Sequence, residues 1–195
     1  MTAVRKTGPT IPAAITLPTP SAALAAEAER LGHRYGQVEE AWIDGRLATF
    51  ADRPPPRDVR AEARTMLAAL AAALDPVEPT TVRAWLRPLA PAVRNPPTAP
   101  EFEARAAAIA LACSTVPRCA FTLTSQAEAL RRFSYWPSAA DVVELLDEHA
   151  RPIRARHRAI ERVVTVRPLA ELAEAREADW RRRDGWQAIE AAGRR

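Results

Sequence analysis

Eight consecutive residues without a polar side chain, Ala106 to Cys113, lie inside a chain that eighteen prolines otherwise cut into short pieces. Five of the eight are alanine, so the segment predicts a helix, and a helix apolar on every side is one surrounded by other helices. On either side stand Val82-Arg83-Ala84-Trp85 and Phe133-Ser134-Tyr135-Trp136-Pro137-Ser138, each at a short segment with an apolar face at helical spacing. The pattern predicts one compact helical unit over residues 57–150. Nowhere is there convincing strand alternation, so the expected class is all-α, a compact bundle of about five to seven short helices.

The element boundaries come from caps and prolines. Val59, Ala63, Met66, Leu70 and Leu74 recur at helical spacing and predict a helix over about 57–74, which Asp75-Pro76 ends. Thr80 or Thr81 can cap the next helix, whose stripe is Val82, Trp85, Leu86 and Leu89. Pro88 breaks it. The central helix is expected over 101–116, with Glu101 and Glu103 in its first turn, where the helix dipole favours acids. Ser125 with Glu128, and Ser138 with Asp141, have capping-box spacing. Pro152 is expected to kink or interrupt the chain, leaving a basic helix over 153–165. A last helix has Pro168 in its first turn and ends at Gly185.

Outside the core, residues 1–20 are rich in Pro, Thr and Ala and are expected to be a disordered tail. Residues 21–34 predict a short helix capped by Ser21, with His33 at its end. Residues 35–52 carry Tyr35, Trp42 and Phe50, either docked on the main domain or ordered by a partner. Pro54-Pro55-Pro56 is a stiff spacer, making 21–56 a partly ordered arm. Residues 151–195 hold twelve arginines against seven acids, a net of +5, whereas 101–150 carry a net of −3. The C-terminal 45 residues therefore form a basic helical segment.

Several chemistries find no motif. There is no GxxxxGK[ST] and no GxGxxG, and glycine is too sparse to cradle a phosphate. Glu148-His149 and His157 do not match HExxH. Asp141, Glu144, Asp147 and Glu148 share a helix face, but it is the exposed face of an amphipathic helix. No catalytic residue, metal site or cofactor is expected, and the chain reads as a non-enzyme. Cys113 and Cys119 fit neither a zinc pattern nor CxxC. Read as buried free thiols, they point to a reducing, cytoplasmic compartment. No apolar run approaches a membrane span, and Pro9, Pro12, Pro18 and Pro20 interrupt what would be the apolar part of a leader.

Two surfaces are candidates for binding. Trp180, Arg181, Arg182, Arg183 and Trp186 combine large apolar groups with cations in a polar stretch, which suits a partner-binding helix and equally one that docks back on the chain's own core or self-associates. Arg131, Arg132 and Tyr135, with Arg154 and Arg158, combine cationic and stacking groups suited to single-stranded nucleic acid. Phe133 and Trp136 beside them read first as core anchors at a helix–loop–helix corner, where aromatics usually pack.

Around Trp85 and Trp136-Pro137-Ser138 the segment 65–146 resembles the small phage and prophage proteins that load or inhibit the replicative DNA helicase. The resemblance rests on Leu67 and Leu70, Trp85 and Leu89, Ala108 and Ile109, then Trp136, Pro137 and Ser138. It covers under half the chain and involves scaffold residues, so it implies a binding role in DNA replication and carries over no active site. Its expected partner is a replicative helicase, with single-stranded DNA as a further one. The alternatives are a nucleic-acid-binding regulator and a phage structural or assembly protein.

Overall fold

The computed structural model describes residues 17–32 and 38–192, with side chains described as far as Arg183. The chain is mostly helical: α1 (Ala22–Gly32), α2 (Arg57–Leu74), α3 (Pro79–Leu86), α4 (Ala99–Ala112), α5 (Leu123–Arg132), α6 (Ala139–Thr165) and α7 (Leu172–Ala192). It is not all-α. β1 (Val38–Ile43), β2 (Arg46–Ala51) and the two-residue β3 (Arg167–Pro168) form a sheet in the order β1-β2-β3. Contacts divide the chain into two units, which part within α2 and α6 rather than at residue 56 or 151. The first holds residues 68–157 with Leu17 and Pro18. The second holds 19–67 and everything from 158 on.

In the first unit, α3 starts at Pro79, whose missing N–H costs nothing in a first turn, so neither Thr80 nor Thr81 is its cap. Pro88 and Pro91 force residues 87–92 into a tight 3-10 turn. α4 begins two residues earlier than expected. Thr98 caps it, and its backbone N–H and hydroxyl both donate to Glu101, at 2.8 and 2.9 Å. Only one side of α4 is buried, through Phe102, Ala106, Ile109 and Ala110. Leu111 is 77% exposed and Ala107, Ala108 and Ala112 are exposed, so helices do not surround it. Alanine carries too little apolar area to demand burial, and uniform apolarity here reports composition rather than position.

Trp85 is fully buried at the centre of this core. Its ring meets Phe121 edge-on at 6.0 Å, and its Nε1–H reaches Ser125 Oγ at 3.2 Å. Gln126 closes the knot by donating to the Trp85 carbonyl at 2.7 Å. Ser125 is thus the third residue of α5 and not its cap. Thr122 caps the helix, with Ser125 as its reciprocal partner. Ser138 and Asp141 do exchange hydrogen bonds at the start of α6. α6 then runs unbroken through Pro152. An interior proline costs about 3 kcal/mol. Ala150 before it and Ile160 and Val163 after it are buried, which offsets that cost.

In the second unit, Ser21 caps α1 by accepting from Leu24 N–H at 3.1 Å. Its own N–H and hydroxyl donate to Glu62 of α2, at 2.8 and 2.6 Å. β1 and β2 form a hairpin in the register Trp42↔Leu47, with Ile43↔Arg46 flanking a two-residue turn. Asp44 and Gly45 have φ of 52° and 71°, the left-handed pair that a type I′ turn requires and Asp-Gly supplies. β3 adds to β2 in parallel, Phe50 opposite Arg167. Ile43, Phe50, Ala41 and Ala48 pack against Leu172 and Ala175 of α7. α7 continues through Gly185, because a lone glycine costs about 1 kcal/mol in a helix and does not by itself end one. Residues 1–16, with most of the expected disordered tail, and His33 and Tyr35 lie outside the described residues. Pro18, in the first unit, accepts from Arg156 Nη2 at 2.6 Å.

Candidate functional site

The second unit contains an open cleft of about 780 Å³. Its floor is the hairpin, with Leu47 and Thr49 of β2 and Glu40 of β1. The C-terminal part of α6 forms one wall through Arg158, Glu161, Arg162 and Thr165. Arg46 stands at the hairpin tip and Arg167 at β3. Arg158 and Arg162 are four residues apart and so rise from α6 on one face. Arg167 is occupied, bonded to Glu171 at 2.9 Å and stacked over Phe50 at 5.3 Å. Arg46, Arg158 and Arg162 form no ion pair with any described residue. Three acids also line the cleft, Glu40, Asp44 and Glu161. Asp44 is neutralised by Arg182 at 2.5 Å.

A second hollow, of about 370 Å³, adjoins it and shares Glu40, Leu47 and Arg162. Trp42 and the end of α1, Leu31 and Gly32, complete its lining. A Cβ placed on Gly32 would stand 3.8 Å from Arg162 Nη1. The guanidinium therefore sits at the C-terminal end of α1, where the helix dipole favours a cation. Trp42 is 65% exposed and Leu47 53%. Strand alternation and register put the two side by side, on the face away from Ile43, Ala41 and Phe50.

The residues singled out in the sequence fall in several places. Trp180 is 63% exposed on α7. Arg181 pairs with Glu177 at 2.5 Å, Arg182 with Asp44, and Arg183 with Asp179 at 2.8 Å. Asp179 is itself buried and accepts the Asp44 N–H at 3.0 Å. Arg182 and Asp179 of α7 thus hold the hairpin turn. The side chain of Trp186 lies outside the described residues. In the first unit, Arg132 pairs with Glu144 and Glu148, and Arg154 with Asp147. Arg131 is exposed. Tyr135 is exposed, with the Arg94 guanidinium 5.7 Å from its ring centre. Phe102 meets Trp136 edge-on at 5.6 Å, so Trp136 is a core anchor. Of the nucleic-acid candidates, only Arg158 reaches the cleft.

The acidic face of α6 is consumed by these pairs and by the Ser138 cap. His149 Nε2 lies 2.9 Å from Glu128. Among the described residues no group of three or more His, Cys, Asp or Glu could hold a metal ion. Burial pushes the Cys113 thiol up to about 11, with Asp147 adding to it, and burial raises Cys119 as well. Neither is poised as a nucleophile. The clearly lowered carboxyls are those held by hydrogen bonds at helix starts: Asp141 and Glu62 chiefly through the hydroxyls of Ser138 and Ser21, Glu101 chiefly through the Thr98 N–H. No described helix is long and apolar enough to cross a membrane. Comparison with protein-family models, curated proteins and solved structures finds no match to this chain.

Proposed function

We propose that this chain is a non-catalytic nucleic-acid-binding protein that grips phosphates in the cleft between its β-hairpin and the end of α6. The observation that carries the reading is the set of three arginines, Arg46, Arg158 and Arg162, that line one cleft without an acid partner among the described residues. Arginine matches phosphate with a planar fork of donors, and an unpaired one gives up no existing ion pair on binding. Binding of labelled oligonucleotides to the full chain tests the proposal, with Arg46→Ala/Arg158→Ala as the variant. Weakened binding at low salt supports it. Wild-type affinity in that folded variant refutes it.

A second reading is favoured by Trp180. A large aromatic left 63% exposed on α7, while the neighbouring arginines are held within the chain, suits an anchor for a protein partner. On this reading the chain is an adaptor for a replicative helicase, and the two roles are compatible in one protein. Loss of helicase capture by Trp180→Ala, with oligonucleotide affinity intact, supports the adaptor role.

A further inference from the structure

We infer that the hollow beside the cleft is a base-stacking subsite, with Trp42 as its platform, and that it makes the protein selective for unpaired strands. The inference rests on the nucleic-acid reading above and adds to it the form of the ligand and a new contact residue. Trp42 lies on a two-stranded hairpin with 65% of its surface open, beside Leu47, and both line concave surface. The pair is an exposed apolar shelf with an ordered backbone beneath it. The Asp44-Gly45 turn fixes its register, and α7 packs on the opposite face through Leu172 and Ala175.

The position of the shelf specifies the occupant. The hollow adjoins the arginine-lined cleft, and Arg162, Leu47 and Glu40 belong to both. A ligand spanning them must present a planar apolar group next to anionic groups, which is the repeating pattern of a nucleic-acid strand. Single-strand sites combine these two elements, a cationic track for the backbone and aromatic faces for the bases. A duplex cannot use the shelf, because its bases are stacked on one another and its outer surface is convex, whereas this site is recessed. Phosphate contact alone does not discriminate the two forms. Stacking on Trp42 therefore supplies the discrimination.

The experiment compares a labelled mixed-sequence single strand, the same strand annealed to its complement, and an abasic strand of equal length, on the full chain. Wild-type protein should bind the single strand at least several-fold more tightly than either other form. Trp42→Ala should lower single-strand affinity on the order of tenfold, the scale of one lost base–aromatic stack, and leave its salt dependence unchanged. Trp42→Phe should retain most of the affinity, and circular dichroism of both variants checks the fold. If single strand and duplex bind alike, or if Trp42→Ala is silent while Arg46→Ala/Arg158→Ala weakens binding, the stacking subsite is overturned and the phosphate cleft stands. If none of the three probes binds, the nucleic-acid reading itself falls. Binding of poly-glutamate that displaces the single strand and depends on Trp42 would overturn the inference in favour of an acidic peptide.

Discussion

Removing Arg46 and Arg158 together should change the salt dependence of binding more distinctively than its strength. Both side chains are exposed and form no ion pair with any described residue, so Arg46→Ala/Arg158→Ala should leave the fold intact, whereas Arg162 also sits against the end of α1. Each phosphate contact on a single strand adds about 0.7 to the slope of log affinity against log salt. Three contacts then give a slope of about −2.1, and a fourfold rise in salt weakens binding about 18-fold. With Arg162 alone remaining, the slope falls to about −0.7 and the same rise costs about threefold. Fluorescence anisotropy at 50, 100 and 200 mM salt would measure both slopes. Affinity that drops while the slope stays at its wild-type value would refute the reasoning, since the lost arginines would not then have been touching phosphates.

Other consequences are checked more simply. Asp179→Ala removes a carboxylate acceptor from the Asp44 N–H at the hairpin turn, a loss of about 2 kcal/mol locally, because the exposed Arg183 partner adds little. Hydrogen exchange at the Asp44 amide should quicken, and unchanged protection would mean that α7 does not hold the turn. At pH 8 native Cys113, raised from an ordinary 9.0 to about 11, should have about a hundredfold smaller thiolate fraction than an exposed thiol. Ellman's reagent should therefore find neither cysteine until the chain unfolds. Asp141 titrates below its ordinary range because Ser138 donates to it. Its contribution to stability is present above the unfolded value and is lost as pH falls through the lower folded one. Ser138→Ala should bring the Asp141 titration, read by NMR, back toward the ordinary value.

Legibility in the sequence tracked the range of the interaction. The limits of α2 and the Ser138–Asp141 cap depend on neighbours within a few residues, and periodicity and spacing found them. α3 and α5 were found with their caps displaced, since Thr80, Thr81 and Ser125 each offered a plausible hydroxyl and only the backbone decides among them. The hairpin was missed although its signal was present: an Asp44-Gly45 turn directly follows the aromatic Trp42 and β-branched Ile43, with Thr49 and Phe50 on its other side. Alternation was obscured because Glu39 and Glu40 are consecutive and Ala41 and Ala48 carry little apolarity. The cleft was beyond such reading. Arg46, Arg158, Arg162 and Arg167 come from three elements, and the sequence does not say which arginines will find an acid. Arg158 and Arg182 were both binding candidates, and tertiary packing gives Arg182 the Asp44 carboxylate while Arg158 meets no acid among the described residues.

The contacts of α7 with the hairpin determine how the adaptor reading must be tested. Deleting the basic C-terminal segment after Val166 removes β3, α7 and with them Leu172, Ala175 and Asp179. Leu172 and Ala175 cover the inner face of the hairpin, and Asp179 holds its turn. The truncation would expose Phe50 and Ile43, and a two-stranded hairpin with nothing behind it is marginal in water. Lost binding would then report a damaged site, not a missing arm. Trp180→Ala avoids this, because the side chain is 63% exposed and its removal creates no cavity. Hot-spot tryptophans cost about 2 kcal/mol or more on truncation to alanine, about thirtyfold in affinity. Helicase capture should fall by that order in Trp180→Ala while Asp44 keeps its amide protection. Undiminished capture by Trp180→Ala would remove the exposed aromatic as the anchor, and the partner would have to engage a different face.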